Sequence, residues 1–501
     1  MKKVSILILM VFLVTALSFG VSAQEKVITY ATSGEVVGLS PILTNDSASA
    51  TVQVQVYETL FLRDGKTNEI KPNLAKSYSN PDPNTWIIEL RDDVYFHDGT
   101  KFNAEAVKFS FDRLRDPDVA APRASLLEPV DTIEAVDEYT VKITTKYPYG
   151  PFLAALTHSN SAIVSPSAVE KYGDLMQNAC GTGPFKVEEW DAGNQLTLVK
   201  NENYWGGEVK IDKAVYKVVP EAATQVAMLE TGEVDFIDSV PSEHLMRLKA
   251  NPEIDIDMVE GTPIRYLGFN FEREEFNDRT LRRAIAHAIN RDGIIATMNG
   301  LAYKSYGVIG PKVFGYTEEV EKYGQEYDPK KAKELLEQAG YADGFETTIW
   351  TTSVSTEYTR NAEMIQAMLK EVGINADIRT LEWGAYLAET RKGSTDLFLL
   401  GWSNLTADGS ELIYPNLHSD NIGGANRSFY NGADAYIEAS RGTVDQEKRL
   451  EYLSKANNYL VDNAVWVPLY HQSVYVIYRD RVKGLTIQPN GNWYLKNVDV
   501  E

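Results

Sequence analysis

The chain has 501 residues and carries 71 acidic against 49 basic side chains, so its formal net charge is −22. A surface this acidic repels nucleic acid and anionic lipid, and no lysine- or arginine-rich tract offsets the repulsion. The apolar content of 44% is ordinary for a globular protein, and a chain of this length exceeds what one core can hold. We therefore expect about three folded domains and no nucleic-acid partner.

The N-terminus has the composition of a secretory signal peptide. Lys2 and Lys3 supply the positive start, residues 6–17 form an apolar run, and residues 21–23 (VSA) form a small-residue cleavage site. The alternative is an uncleaved anchor helix, but the apolar run is short for a membrane span. We predict cleavage before Gln24, and no direct membrane insertion of the mature chain, because no second long apolar run follows.

Cys180 is the only cysteine in the sequence and lies far from the predicted cleavage site. One cysteine excludes an internal disulfide, a CxxC redox pair and a zinc site built on thiolates. It also leaves no cysteine where a lipid anchor could be attached. An exported protein without such an anchor stays near the cell only if another barrier holds it, which favours a periplasm over free secretion.

The first informative elements surround the stretch RDDVYFHDGTKFNAEAVKFSFDR at residues 91–113. Apolar, β-prone residues predict a strand at Trp86–Leu90 and a second short strand at Val94–His97, before an Asp-Gly turn. Asn103 is predicted to cap an amphipathic helix. His97 has no second histidine nearby, so the pattern favours a structural histidine over a metal ligand.

Helix and strand patterns alternate along the rest of the chain, which predicts α/β architecture. No linker rich in proline, glycine or serine separates the domains, so we expect them to interleave, with the chain crossing between them more than once. The predicted helices cover about residues 279–290, 328–339, 362–372 and 446–461, and predicted strands cover about residues 374–378 and 396–402.

The sequence carries no recognisable catalytic motif. It contains no HExxH, GxSxG, GxxxxGK[ST] or GxGxxG pattern, and its six histidines share no ligand spacing. His287 falls within a predicted amphipathic helix, which favours a structural role. Pairs of carboxylates occur by chance among 71 acids, so a secreted hydrolase stays open as an alternative.

One long motif resembles a known family. LAKSYSNPDPNTWIIELRDDVYFHDGTKFNAEAVKFSFDRL (residues 74–114) is similar to the signature of solute-binding protein family 5, the extracytoplasmic peptide, dipeptide and nickel receptors of ABC importers. The similarity continues in GTGPF (181–185), FNDRTLRRAIAHAINRDGII (276–295), YDPKKAKELLEQAGYADGF (327–345) and EWGAYL (382–387). It spans essentially the whole mature chain, and the dipeptide- and glutathione-binding branches look most similar.

This resemblance implies an α/β fold of two lobes joined by a hinge, with an extra domain inserted in the first lobe. The ligand of such a protein is buried between the lobes, which close over it, and the stretch at residues 91–113 is scaffold. Carried over, the first lobe comprises residues 24–55, 181–268 and 478–501, the inserted domain residues 56–180, the second lobe residues 269–477, and the hinge lies near Leu267–Phe271 and Tyr475–Arg479.

A receptor for free peptides must bury an ammonium and a carboxylate, which requires opposite charges that are themselves hydrogen-bonded. DLFLLGWSNLTADGSELIYPNL (396–417) reads as a buried strand followed by a polar loop, where α/β folds place ligands. In the dipeptide receptors that the chain resembles, an aspartate six residues after a Gly-Trp pair holds the ligand ammonium, and here that residue is Asp408. The alternative is a solvated turn. Trp402 is expected to wall the pocket or to be core.

Arg360 is the first candidate for the ligand carboxylate. It begins the helix TRNAEMIQAMLKEVG, as an arginine of the dipeptide branch does, and a guanidinium binds a carboxylate through two hydrogen bonds. The alternative is a surface arginine at a helix start. Arg265, in PIRYLGFNF, resembles an arginine of the glutathione branch and is the reserve. Trp383 and Tyr386, in EWGAYL, are further wall candidates, with helix packing as the alternative for both.

Together these features predict a periplasmic peptide receptor, expected as a monomer, that delivers its ligand to the transmembrane subunits of an ABC permease. No cofactor, metal ion or catalysis is expected. Within the same fold, an oligosaccharide or a nickel chelate is the alternative ligand. The charged pair Asp408 and Arg360 disfavours a neutral sugar, and the lack of clustered ligands disfavours nickel.

Overall fold

The computed structural model describes residues 25–501, so the predicted signal peptide and its cleavage site lie outside the described residues. Helices and strands alternate along this part of the chain, as the α/β prediction required. None of its helices is long and apolar enough to cross a membrane.

The predicted inserted domain is built on an antiparallel sheet of four strands in the order β4-β5-β7-β6, with helix α2 packed against β6. The elements of residues 25–180 are β1 (Val27–Thr32), α1 (Ser47–Val56), β2 (Phe61–Arg63), β3 (Ile70–Pro72), β4 (Ala75–Asp82), β5 (Thr85–Leu90), α2 (Ala104–Arg115), β6 (Val130–Asp137), β7 (Thr140–Thr145), α3 (Phe152–Ala155) and α4 (Pro166–Tyr172).

The remaining elements form the rest of both lobes. Residues 181–269 contain β8 (Phe185–Asp191), β9 (Gln195–Lys200), β10 (Lys213–Val218), α5 (Ala222–Thr231), β11 (Phe236–Ile237), α6 (Ser242–Lys249) and β12 (Ile254–Phe269). Residues 270–501 contain α7 (Arg279–Ala288), α8 (Arg291–Ala296), β13 (Ala302–Tyr303), α9 (Pro329–Gln338), β14 (Phe345–Thr352), α10 (Thr356–Glu371), β15 (Ile374–Leu381), α11 (Trp383–Arg391), β16 (Leu397–Trp402), α12 (Gly409–Leu417), α13 (Asp434–Arg441), α14 (Gln446–Asp462), β17 (Trp466–Arg479), β18 (Val482–Lys483) and β19 (Asp499–Val500).

One sheet of 11 strands runs through both lobes in the order β15-β14-β16-β12-β17-β11-β1-β10-β9-β8, and β13 pairs with β17 beside that path. In the first-lobe half, β1 is parallel to β10 and β11. In the second-lobe half, β14 is parallel to β15 and β16. The two-lobed α/β fold expected from the sequence is confirmed, and the predicted lobe boundaries stay predictions.

The long antiparallel strands β12 and β17 belong to both halves of this sheet. Residues 254–260 pair with residues 473–479, and residues 264–268 pair with residues 466–471. Between these runs the register shifts at residues 261–263. Strand β17 is buried at its start but half-exposed at residues 472–475, so its middle crosses the junction between the lobes.

The predicted helices are confirmed, and capping side chains explain where two of them begin. The carboxylate of Asp328 accepts hydrogen bonds from the backbone N–H groups of Lys330 and Lys331 at 3.0 and 2.9 Å, which fixes the start of α9. Asn103 accepts from the N–H of Ala106 at 3.0 Å and starts α2 in the same way.

The predicted short strand at Val94–His97 is wrong. The segment makes a single isolated bridge, between Tyr95 and Lys101, because the chain turns back on itself at once. Phe96 donates its N–H to the carbonyl of Thr100 at 2.8 Å and accepts from Gly99 at 2.9 Å, so the turn uses the backbone groups that a ladder would need.

Candidate ligand-binding site

The carboxyl ends of the parallel strands of both lobes point toward the junction between the lobes. Strand β17 runs from the second lobe into the first and β11 is antiparallel to it, so β11 and its parallel neighbour β1 end facing the second lobe. Strand β16 is antiparallel to β12 and, with β14 and β15, ends facing the first lobe. Such ends are where open α/β sheets bind ligands.

Three large apolar side chains follow these strand ends and are exposed to solvent. Val37 comes after β1, Val354 after β14 and Trp383 after β15, with exposed fractions of 58%, 56% and 36%. Apolar walls with a few polar groups between them are typical of small-molecule sites. The position of Trp383 is thus compatible with the predicted pocket wall, and its contact with a ligand stays a prediction.

Arg265 lies in a polar cluster in the second-lobe half of the sheet, on the part of β12 that pairs with β16. Its Nε donates to Oε1 of Glu357 at 2.8 Å, and both side chains are 19% exposed. The hydroxyl of Tyr470 donates to the same oxygen at 2.8 Å, while the amide of Gln472 donates to the other oxygen at 3.4 Å. The guanidinium lies across Gly401 of the neighbouring strand, where a Cβ would overlap it. Arg265 is therefore already paired with a carboxylate.

Arg360, one turn after Glu357 in helix α10, has unused hydrogen-bonding capacity. Its Nη2 contacts the sulfur of Met298 at 3.0 Å, and its Nε is buried without a hydrogen-bond partner. No described aspartate or glutamate forms an ion pair with it, in contrast to Arg265. A half-buried guanidinium in this state can bind a ligand carboxylate, the role predicted for it, and that role stays a prediction.

Trp402 is the last residue of β16, where it pairs with Ile264 of β12. Its side chain is half-exposed, and its indole N–H is buried without a partner. A tryptophan at a strand end with an unused donor can offer both an apolar face and a hydrogen bond. The predicted wall position is thus available, while its use by a ligand stays a prediction.

Asp408 is already paired with a cation inside the protein, and the solvated turn given as the alternative for it is wrong. Nη2 of Arg449 lies 2.9 and 3.0 Å from its two oxygens, and each side chain is only 2% exposed. Asp408 also caps helix α12 by accepting from the N–H of Ser410 at 3.0 Å. Burial alone would raise the pKa of Asp408, but the guanidinium holds it below its ordinary value.

The Asp408–Arg449 pair is closed off by the inserted domain. The N–H of Gly150 donates to the carbonyl of Arg441 at 2.8 Å, and a Cβ at position 150 would lie 2.5 Å from Cδ of Arg449 and would overlap the carbonyl of Thr443. An ammonium at Asp408 would have to displace an internal cation that a neighbouring domain covers. The geometry therefore offers no support for the predicted ammonium site.

Tyr386 is a core residue and not a pocket wall. Its side chain is 0% exposed, and its hydroxyl donates to the carbonyl of Leu399 at 2.6 Å. The structure agrees with helix packing, the alternative given for this residue. Trp383, three residues earlier, lies on the exposed side of the same helix, with ring centroids 6.2 Å apart.

The sequence did not predict Asp238, in the first lobe, as a site residue. It directly follows β11 and is half-buried, and the hydroxyl of Tyr30 donates to its Oδ2. Burial raises the pKa of Asp238, which the hydrogen bond from Tyr30 only partly offsets. The signal available in the sequence was weak: an acid placed directly after a short apolar run, FID at residues 236–238.

A cavity of about 650 Å³ lies elsewhere, between the first lobe, the inserted domain and the C-terminal segment. Its lining comes from residues 53–205 and 484–497 and includes Glu58, whose carboxylate accepts hydrogen bonds from Thr182, Tyr204 and Trp205 at 2.8 to 2.9 Å. Burial raises the pKa of Glu58. The cavity contains no residue of the second lobe and is therefore separate from the strand-end site.

His97 has the structural role expected for it. Its Nε2 lies 2.9 Å from the carbonyl oxygen of Gly183, and its Nδ1 lies 3.4 Å from the N–H of Gly181, so the ring joins the inserted domain to the first lobe. Burial lowers the pKa of His97 to about 4. Among residues 25–501, no group of three or more histidine, cysteine, aspartate or glutamate side chains is arranged to hold a metal ion.

Residues 69–424 match the family described as bacterial extracellular solute-binding proteins, family 5 Middle. The chain is 30% identical over 502 residues to the glutathione-binding protein GsiB of Shigella dysenteriae, an alignment that covers 98% of this chain and 97% of GsiB. The fold is similar to HbpA2 from Haemophilus parasuis, with a TM-score of 0.87, 28% identity, and coverage of 95% and 100% of the two chains. It is also similar to the periplasmic binding protein DppA from Helicobacter pylori in complex with the peptide STSA, with a TM-score of 0.78, 32% identity, and coverage of 95% and 98%.

Proposed function

The chain belongs to the bacterial extracellular solute-binding proteins of family 5, and on that premise we propose that it is the substrate-binding receptor of an ABC importer. It binds a short peptide between its two lobes and delivers it to the transmembrane subunits of a permease. A relative named for glutathione binding and a similar fold solved with a bound peptide support this ligand class. Binding and release, without chemical change, are the proposed activity.

The observation that carries the ligand class is the state of Arg360. It lies in the first turns of α10, directly after the end of β14, and its buried Nε has no partner. A buried guanidinium donor without a partner is costly to keep, so a ligand group that accepts from it gains binding energy. The carboxylate of a free peptide is such a group. Trp402 at the end of β16 and Trp383 after β15 lie on either side of β14, where they can cover the apolar parts of the peptide.

Closure of the lobes is proposed to bend the chain at residues 261–263. Regular pairing between β12 and β17 stops there, between Glu260 and Ile264, and beyond it the ladder continues to Gly268 with one single-residue shift between Arg265 and Tyr266. A break in a ladder leaves fewer hydrogen bonds to resist bending. The proposed hinge thus lies a few residues before the segment expected from the family resemblance.

The place of action is proposed to be the periplasm. Residues 1–23 supply the export signal, and cleavage before Gln24 releases a monomer that meets its permease from outside. N-terminal sequencing of the protein released by osmotic shock should find Gln24 first. A chain that keeps Met1 in a membrane fraction would contradict both the export signal and the location.

Calorimetric titration tests the peptide proposal. The native protein is titrated with di-, tri- and tetrapeptides and glutathione, and mass spectrometry identifies any ligand that co-purifies. Arg360→Gln should weaken binding of peptides with a free carboxylate, by about 2–5 kcal/mol if the group is fully desolvated, and should bind C-terminally amidated peptides no worse than the native protein.

Lys370→Gln, an exposed charge near the end of the same helix, is the matched control and should leave affinity unchanged. A native protein that binds none of these peptides at millimolar concentration would refute the peptide proposal. Binding that survives Arg360→Gln unchanged would leave the receptor in place and exclude Arg360 as its carboxylate site.

A further inference from the structure

Acidic side chains near the inter-lobe strand ends are the candidates for holding a cationic ligand group. Strands β1, β11, β14, β15 and β16 are each followed within six residues by at least one acid. The acids in these positions are Glu35, Asp238, Glu243, Glu357, Glu382 and Asp408.

Most of these acids are already used or are fully solvated. Glu357 is paired with Arg265 at 2.8 Å, and Asp408 is paired with an internal arginine. Glu382 accepts from the N–H of Gly384 at 2.9 Å as the cap of its own helix. The two acids that follow β1 and begin α6 are exposed, where water screens their charge.

Asp238 differs from all of these. It is half-buried, it receives a hydrogen bond from Tyr30, and no nitrogen of a described lysine, arginine or histidine lies within 4 Å of its oxygens, unlike Asp235 three residues earlier, which pairs with Arg481 at 2.6 Å. A carboxylate withdrawn from water without a cation destabilises the fold that holds it. Proteins retain such groups chiefly at functional sites.

The position of Asp238 places it beside the junction between the lobes. Ile237 pairs with Ile477 of β17, so Asp238 comes next to Val476, one residue from the half-exposed run at residues 472–475 that crosses the junction. The hydroxyl of Tyr475 accepts from the backbone N–H of Val240 at 3.3 Å and holds the chain after Asp238 against β17. The carboxylate is thus on the first lobe, while Arg360, with its unused donor, is on the second.

We propose that Asp238 binds the free ammonium group of the ligand, with Tyr30 orienting the carboxylate, so that the two lobes share a zwitterionic peptide. The ammonium binds to the first lobe and the carboxylate to Arg360 of the second. This assignment rests on the proposed function and gives Asp238 the role that the sequence had suggested for Asp408. It also ties the two lobes together through the ligand, since each end of the peptide is held by a different lobe.

The test compares a peptide with its N-acetylated counterpart by calorimetric titration. The native protein should bind the free-amine peptide at least about tenfold more tightly, since the acetylated form leaves Asp238 buried without a cation. Asp238→Asn should weaken the free-amine peptide by about the same factor and leave the acetylated one unchanged, so that discrimination is lost. Tyr30→Phe keeps the carboxylate and should keep the discrimination.

Two controls separate this role from a general effect of removing an acid. Asp255→Asn removes an exposed acid from β12 on the same lobe and should change nothing. Asp238→Asn should also raise the unfolding midpoint of the ligand-free protein, because it removes a half-buried charge that no cation compensates. A structural acid would show the opposite sign, a lowered midpoint.

The outcomes distinguish this assignment from the proposed function. A native protein that binds neither peptide refutes both. A native protein that binds the two forms equally well supports the peptide receptor and overturns the ammonium site. Discrimination that persists in Asp238→Asn, or a midpoint lowered by that substitution, overturns the assignment to Asp238 alone.

Discussion

Replacing Arg449 by methionine should destabilise the protein strongly, because it would leave Asp408 buried without its cation. Both side chains are 2% exposed, and the guanidinium lies within 3.0 Å of both carboxylate oxygens. Removing one partner of a buried pair costs about 3–5 kcal/mol. The same substitution removes a hydrogen bond at 3.2 Å from Nε to the carbonyl of Ser440, which places the expected loss toward the upper end of that range.

Denaturant unfolding at constant temperature is the suitable assay. An unfolding entropy of about 2.1 cal/mol/K per residue, summed over the whole chain, amounts to roughly 1 kcal/mol/K. A heat midpoint would therefore move only about 1 °C per kcal/mol, whereas a urea midpoint resolves the change. Asp408→Asn and the double variant complete a double-mutant cycle, in which the double variant should lose clearly less than the sum of the single losses.

The pH dependence gives an independent reading of the same pair. The folded-state pKa of Asp408 lies below its unfolded value, so its contribution to stability is present above the unfolded pKa and is lost as pH falls through the folded one. Arg449→Met should remove that part of the acid sensitivity.

In the double-mutant cycle, single losses of stability below about 1 kcal/mol that simply add would show that the buried pair does not form.

Three further substitutions test other features of the fold. Gly150→Ala should weaken the contact between the inserted domain and the second lobe, because its Cβ overlaps the carbonyl of Thr443, and an unchanged radius of gyration in small-angle scattering would contradict this contact. The pKa of the buried His97 ring is about 4, so between about pH 6.5 and 4 the unfolded state binds a proton that the folded state does not, and the free energy of unfolding falls as the pH falls. His97→Gln should make this fall less steep. An equally steep fall would contradict a buried histidine. Tyr386→Phe leaves the carbonyl of Leu399 without its donor and should cost about 1–3 kcal/mol of stability with ligand affinity intact; lost affinity at full stability would instead put Tyr386 in the site.

The helices and the family could be predicted from the sequence because their signals lie in short, contiguous stretches of residues. Asp328 and Asn103 cap their helices with their own side chains, so the signal and its structural effect lie within three residues. The short strand at Val94–His97 failed for a related reason. Its residues favour extended structure, but a ladder needs a partner, and the Asp-Gly turn after it brings the chain back too soon.

The site was harder to predict because its partners are distant in sequence. Asp408 matched the position of a ligand anchor, yet Arg449, 41 residues later, occupies its carboxylate. Nothing in the sequence around Asp238 distinguishes it from an ordinary surface acid, because the hydrogen bond that it accepts comes from Tyr30 on another strand. Arg360 was predicted because its position at the start of a helix is a local property, whereas its lack of an ion pair with any described acid depends on the whole fold, which pairs Glu357 with Arg265 instead.

The first lobe is completed from both ends of the chain, because Trp493 packs against Tyr30 and Phe236 with ring centroids 5.1 and 5.0 Å apart. Contacts between residues this distant in sequence form slowly, because the long intervening chain must lose conformational entropy before the contact contributes stabilisation. The core that runs from Ile264 to Trp466 in the second lobe closes a loop less than half as long. We expect the second lobe to fold first during refolding, and a chain interrupted before Trp493 to keep that lobe folded beside a first lobe that cannot close its core.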